Sequence, residues 1–349
     1  SIGQWSNLTD FPVYDLKPER TNSFEVGMNM RFLKNFELDV TYYNAKTMNQ
    51  TFNPELPVGE YARIYIQTGA VRNQGLELAL NYNNTWKDFT WNTGVTYSMN
   101  KNKILTLADN AINPITREKF SISSLNMGGL GSTRFILKEG GSMGDIYSLM
   151  DLKRDANGAV YIDENNSVVT ESLEANNYIK LGSVLPKGNL AWRNNFSWKN
   201  INVAFLVSAR LGGVVFSRTQ AVLDNFGVSE ASAAARDKGY VSVNGNDRVN
   251  PEGWYSVVAG GTAVPQYYIY SATNIRLQEA SIGYTIPRKW LGNVCDIKVS
   301  LIGRNLWMIY NKAPFDPESV ASTDNFYQGI DYFMMPSLRN IGFNLSFKF

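Results

Sequence analysis

The chain has 349 residues, with 33 Lys and Arg against 31 Asp and Glu. Its net charge of +2 and the lack of any Lys/Arg cluster make no case for nucleic acid. Charged residues make up only 18%, below the roughly 25% usual in soluble domains, while 19 Tyr and 8 Trp suit surfaces with one dry and one wet side.

In chain order, Ser1 to Asp10 has neither a basic start nor an apolar core, so no signal peptide opens the chain and a mature or truncated amino terminus is expected. Phe24, Val26, Met28, Met30 and Phe32 then alternate with Glu25, Gly27, Asn29 and Arg31. Phe36, Leu38, Val40 and Tyr42 alternate with Glu37, Asp39 and Thr41. Leu76 to Tyr82 and Phe89 to Ser98 repeat the pattern, followed by Leu190–Trp198, Ile201–Leu211, Ala280–Ile286 and Ile297–Leu301. In the last segment Ile341, Phe343, Leu345, Phe347 and Phe349 share one face, and Gly342, Asn344, Ser346 and Lys348 the other. Successive side chains on a strand point to opposite sides, so each of these nine segments predicts a strand with one apolar and one polar face.

The connections sort by length. Short turns fall at Leu33–Asn35, Asn83–Asp88, Lys199–Asn200 and Pro287–Asn293, and long stretches at Gln50–Ala70, Ile104–Lys187, Gly213–Thr273 and Asn311–Ser337. The two kinds alternate, as in outer-membrane barrels with short periplasmic turns and long extracellular loops. The longest clean apolar run, Val203 to Val207, is far from the about 20 residues of a membrane helix. A membrane protein without such helices must close its strands into a barrel. The expected class is therefore all-β, a transmembrane antiparallel β-barrel. Glu25, Arg31, Glu37, Asp39, Glu77, Arg193 and Arg210 lie on the polar faces and are expected to face a wet lumen or a plug, where some form docking salt bridges. Their mixed signs argue against a strongly ion-selective pore. Nine is an odd count and the first strand runs from the long-loop side, so another strand should precede it. The expected domain is the carboxyl-terminal portion of a larger barrel, spanning 1–349.

Specific runs carry a family likeness. Val71–Tyr82 (VRNQGLELALNY), Met143–Asn166 (MGDIYSLMDLKRDANGAVYIDENN) and Ser271–Glu318, with SATNIRLQEASIGYTIP followed by LIGRNLWMIYNKAPFDPE, resemble the carboxyl-terminal region of SusC/RagA-like TonB-dependent outer-membrane transporters of Bacteroidetes. The resemblance spans nearly the whole chain. It implies a barrel of about 22 strands with an amino-terminal plug outside this sequence. It also implies import of glycan oligomers or peptides, a SusD-like surface lipoprotein as lid, and energy from TonB–ExbB–ExbD through the plug. Phe347 and Phe349 resemble the terminal signal that such proteins offer to the barrel-assembly machinery.

Candidate binding residues lie in the long stretches, where function concentrates. Trp254, Tyr255, Tyr267, Tyr268 and Tyr270 form one aromatic group and Phe326, Tyr327, Tyr332 and Phe333 another. Three readings stay open for them: contact with an oligosaccharide or peptide, contact with the lid protein, or an outer girdle and loop-on-loop packing. Asp155, Asn157, Asp163 and Glu164 offer oxygen ligands for Ca²⁺, but the spacing lacks an EF-hand's closing Glu, and an Asn-Gly turn explains the stretch as well. Gly140-Gly-Ser-Met-Gly144 matches a nucleophile elbow in letters, yet the chain has no histidine to serve as base, so a flexible glycine loop is expected. Cys295 stands alone and reads as a small residue in a strand. No catalytic set and no organic cofactor emerge. Active nutrient import is the leading function, with a docking barrel for a surface secretion or adhesion complex and a passive porin as alternatives.

Overall fold

The computed structural model describes residues 17–52, 66–113, 116–261, 263–322 and 327–349. Nine strands form one antiparallel sheet in which each pairs with its sequence neighbour. They are β1 (Arg20–Phe32), β2 (Phe36–Phe52), β3 (Ile66–Trp86), β4 (Phe89–Thr106), β5 (Gly188–Trp198), β6 (Ile201–Leu211), β7 (Asn274–Ile286), β8 (Asp296–Asn311) and β9 (Asn340–Lys348). All nine predicted strands are present. Several run further than their apolar alternation suggested: β2 reaches Phe52 and β3 begins at Ile66, so much of the first long stretch is strand. Cross-strand hydrogen bonds continue these hairpins through mostly polar residues, and the buried Phe52 and Val71 anchor the extension to the loops above it. Cys295 lies just outside β8, half-buried and free.

The turn at 83–88 is tighter than expected. Asn83 to Trp86 stay paired with β4, leaving Lys87 and Asp88 to reverse the chain, with Lys87 at φ 55°. Two-residue hairpins favour such left-handed positions because their twist matches that of the strands. At this short-turn end, rings meet across strands on the apolar face: Phe32 stacks on Phe36 at 5.3 Å, Phe36 tilts against Tyr82 at 4.7 Å, Tyr82 meets Trp91 edge-on at 5.3 Å and Trp91 stacks on Phe196 at 6.0 Å. These strand residues form an aromatic belt, a feature typical of a membrane interface.

The long connections fold into a layer over the opposite end. One apolar core centres on Phe135, Ile146, Leu152, Phe216, Val264 and Ile330, drawing on three connections. A second joins Leu107, Leu125 and Leu137 to the hairpin residues Phe52, Val71 and Ile104. Three helices lie in the connection between β6 and β7: α1 (Arg218–Asn225), α2 (Glu230–Lys238) and α3 (Pro251–Val258). Their caps are sequence-encoded. Ser217 and Ser229 accept from Gln220 N and Ser232 N, Gly239 ends α2 in the left-handed region, and Asn250 caps α3 ahead of Pro251. No described helix is long and apolar enough to cross a membrane.

Candidate functional site

Register assigns the faces. Arg31 pairs with Glu37, which pairs with Asn81, then Gly94 and Arg193. Another row runs Thr41, Glu77, Ser98, Asn189, Arg210 and Asn274. Glu25 and Asp39 fall on the same side, two residues apart along their strands from these rows. All seven charged residues assigned to a lumen therefore share the polar face. They are not intermingled: the acids gather on β1 to β3 with only Arg31 among them, and Arg193 and Arg210 stand alone on β5 and β6. Of the seven, Arg31 and Glu37 make an ion pair at 3.5 Å.

The Asn73-Gln-Gly75-Leu-Glu77 strand puts its three odd positions on this face. Asn73 Oδ1 accepts from Asn100 and Asn102 at 3.1 and 2.9 Å. Tyr43 crosses Gly75 and donates its hydroxyl to Asn100 at 3.1 Å. A Cβ at Gly75 would sit 2.2 Å from Met99 O and 2.5 Å from the Tyr43 hydroxyl, so only glycine lets the tyrosine lie flat there.

Two adjoining hollows occupy the polar face. One, of about 270 Å³, is lined by Asp39, Thr41, Glu77, Thr96 and Ser98. The other, of about 360 Å³, shares Thr96 and Ser98 and adds Asn189, Ser208, Arg210, Gln278 and Glu318. A β-bulge builds the second. Leu206 and Val207 of β6 face Glu279 and Leu277, leaving Gln278 as the extra residue. Ser208 Oγ donates to Gln278 Oε1 at 2.8 Å and Glu279 pairs with Arg304 at 3.1 Å, so two consecutive polar side chains reach one face. Arg210 donates to Val184 O at 2.7 Å, and its Nε has no acceptor among the described residues.

The loop layer is clamped to the wall beside this hollow. Buried Arg276 of β7 grips Asp316 through two nitrogens at 2.8 and 2.9 Å, meets Glu318 at 2.7 Å and donates to Asn274 at 3.1 Å. Burial alone would raise the Asp316 carboxyl, but hydrogen bonds from Arg276, the Glu318 amide and Ser337, with the Arg276 charge, hold it below the usual carboxylate range. Sequence reasoning missed this cluster, because the bulge at Gln278 breaks the alternation that would have carried the strand back to Asn274.

The aromatic candidates separate. Tyr268 is fully buried and donates to Asp224 at 2.8 Å, so burial first and then the Asp224 charge push its phenol far up. Tyr270 rises to about 12 for the same two causes, with Asp331 adding to them, and meets Phe315 edge-on at 5.4 Å. Burial and Asp224 also raise Tyr255. Trp254 packs on the loop core and meets Tyr267 at 5.2 Å. Tyr267, Tyr327, Tyr332 and Phe333 remain exposed, the last two at 50% and 56% and edge-on to each other at 5.4 Å. Phe326 lies outside the described residues. The belt of contacting rings is made by strands at the short-turn end, not by any of these loop residues.

The acidic stretch forms two tandem turns. Asp155 Oδ1 accepts from the amides of Asn157 and Ala159, and Asp163 Oδ1 from those of Asn165 and Ser167. Each carboxylate thus caps its own turn; the described residues contain no group of three His, Cys, Asp or Glu placed to hold a metal. The Gly140–Gly144 segment is fastened rather than loose: Ile104 N and O bond Gly141 O and Gly140 N, and Ser142 donates to Asp145 at 2.6 Å.

An antiparallel meander with a ring-banded apolar face, a wet polar face and its loops gathered at one end is part of the wall of a transmembrane β-barrel. The chain belongs to the TonB dependent receptor-like β-barrel family, whose model matches residues 2–205. That family comprises outer-membrane receptors and transporters rather than enzymes. The chain is similar to the TonB-dependent receptors P3 and P26 of Formosa agariphila, at 26% identity over 383 aligned positions and 27% over 356. Those alignments cover 98% and 95% of this chain and 35% and 34% of the relatives, so the chain spans about a third of the length of the curated relatives it matches. Its fold is like that of the RagAB peptide transporter, with a TM-score of 0.68 at 16% identity over 95% of this chain and 35% of that one. The RagAB peptide importer in its open-open state gives 0.67 at 17% identity, over 96% and 35%. The SusC/RagA-like resemblance read from sequence motifs thus meets a family match and a shared fold.

Proposed function

We propose that this chain is the carboxyl-terminal part of a barrel that imports oligomeric nutrients across the outer membrane, driven by TonB–ExbB–ExbD through a plug elsewhere in the protein. Its long loops face outward and its short turns face the periplasm. A SusD-like lipoprotein closes over the loop layer, and the exposed Tyr332–Phe333 pair suits that contact better than the buried Tyr268. Peptides are the preferred cargo. The carrying observation is the row Glu77, Ser98, Asn189, Arg210, which places an acid and a base three strand spacings apart, about 14 Å. Hydroxyl and amide groups lie between them. An extended peptide of about four residues has that span, with an amino terminus for Glu77, a carboxylate for Arg210 and backbone amides for Ser98 and Asn189. The shared fold with a peptide transporter supports the same choice. Glycan oligomers also suit amide and hydroxyl walls, but they give no use to the charged ends. A docking barrel for a surface complex would not require the hollows at all.

The test is growth and uptake in a strain deleted for the whole protein. Loss of growth on defined tetrapeptides as nitrogen source, restored by the gene only where TonB is present, is the expected outcome. Normal peptide uptake with a defect confined to an oligosaccharide would replace the cargo, and no defect on either would favour the docking role.

A further inference from the structure

The apolar face of the sheet carries charge in one place only. Lys46, Arg72 and Lys103 form a single row across β2, β3 and β4. Lys101 lies one step along β4 on the same face, and Arg20 lies one step beyond Asn22, the β1 partner of Lys46. Every acid in the described parts of β1 to β4 falls on the polar face instead: Glu25, Glu37, Asp39 and Glu77 all share the parity of Thr41. None of Lys46, Arg72, Lys101 and Lys103 makes an ion pair or side-chain hydrogen bond among the described residues, and the shielded Nε of Arg72 lacks an acceptor. Like charges directly opposite one another destabilise a sheet, so an uncompensated cation row calls for an external anion.

Its height identifies the anion. Phe36 and Tyr82 of the aromatic belt pair with each other, and ten residues further along β2 comes Lys46, paired with Arg72. Ten residues of strand measure about 34 Å, which at a tilt of about 40° projects to roughly 25 Å along the membrane normal, the thickness of the apolar band of such barrels. Between belt and cations the face is Leu38, Val40, Tyr42, Leu78 and Leu76, giving way to Asn44 and Gln74. The cations therefore stand at the headgroup plane on the long-loop side.

We infer that this row is a binding site for a phosphorylated lipid headgroup of the outer leaflet, held by Lys46, Arg72, Lys101 and Lys103. The reading rests on the outward orientation of the loops and is independent of the cargo.

Native mass spectrometry of the intact transporter in mild detergent tests it, with purified phosphorylated outer-leaflet glycolipid, its dephosphorylated form and inorganic phosphate as probes. The exposed Lys101→Gln and Lys103→Gln changes are the first variants, the triple variant with Arg72→Gln the second, and Lys298→Gln on the opposite face the control. Wild type and control should retain the phosphorylated glycolipid, and each cation removed should weaken retention about fivefold, the loss expected for one Lys or Arg near an anionic surface. The dephosphorylated lipid should show no such dependence. Equal retention by all variants, displacement by inorganic phosphate alone, or preferential recovery of inner-leaflet glycerophospholipid would each overturn the site.

Discussion

Arg276 and Asp316 make the clearest case for how single residues hold the loop layer on the wall. Removing one partner of a buried, doubly bonded ion pair typically costs about 3–5 kcal/mol. Glu318 still reaches Arg276 at 2.7 Å, so Asp316→Asn should cost less, about 2 kcal/mol. The pH dependence follows from the depressed Asp316 carboxyl. A carboxyl lowered in the folded state stabilises above its ordinary value of about 3.9 and loses that contribution as pH falls through the depressed value. Limited proteolysis of the 312–339 connection in the intact protein should thus stay constant from about pH 7 to 5 and rise only below about pH 4. The Asn variant should be cut faster already at pH 7. Equal cleavage of the two proteins at neutral pH would mean the clamp does not hold the loop.

At the scale of elements, strands were legible and loops were not. Alternation from Phe24 to Phe32 or Ile341 to Phe349 has no other physical source than a two-faced strand. It reported only the middle of β2 and β3, whose extensions are mostly polar, and stopped early on β8, where register shifts against β7 break the period before Leu306–Tyr310. The bulge at Gln278 hid Arg276 by breaking the period just where function-bearing side chains enter. The loop aromatics stayed ambiguous because an aromatic that builds a loop core and one that binds cargo look alike in sequence. Tyr268 proved to be core and Tyr332 surface. The three helices were encoded all the same, in Ser217, Ser229 with Gly239, and Asn250-Pro251. At the closing strand, Phe347 and Phe349 are exposed and Phe347 pairs with Ile297. If they signal barrel assembly, Phe349→Asp should lower the amount of folded protein in the outer membrane, read as the heat-modifiable band on gels. An unchanged band would remove that role.

At the scale of the whole molecule, the two sides of the sheet have different chemistry and correspondingly different tasks. The outer side runs from a belt of aromatic rings through aliphatics to a cation row, and the inner side from acids on β1–β3 to arginines on β5 and β6. The inner polarity is what ties the account to peptides with free ends rather than to neutral oligomers. Calorimetric binding of an unblocked tetrapeptide and of its acetylated, amidated counterpart to the intact transporter, wild type and Arg210→Gln, measures this directly. The account predicts that wild type prefers the unblocked peptide by roughly tenfold, the order of one charge-assisted hydrogen bond, and that Arg210→Gln erases the preference. Equal affinity for both peptides in wild type, or an undiminished preference in the variant, would contradict it.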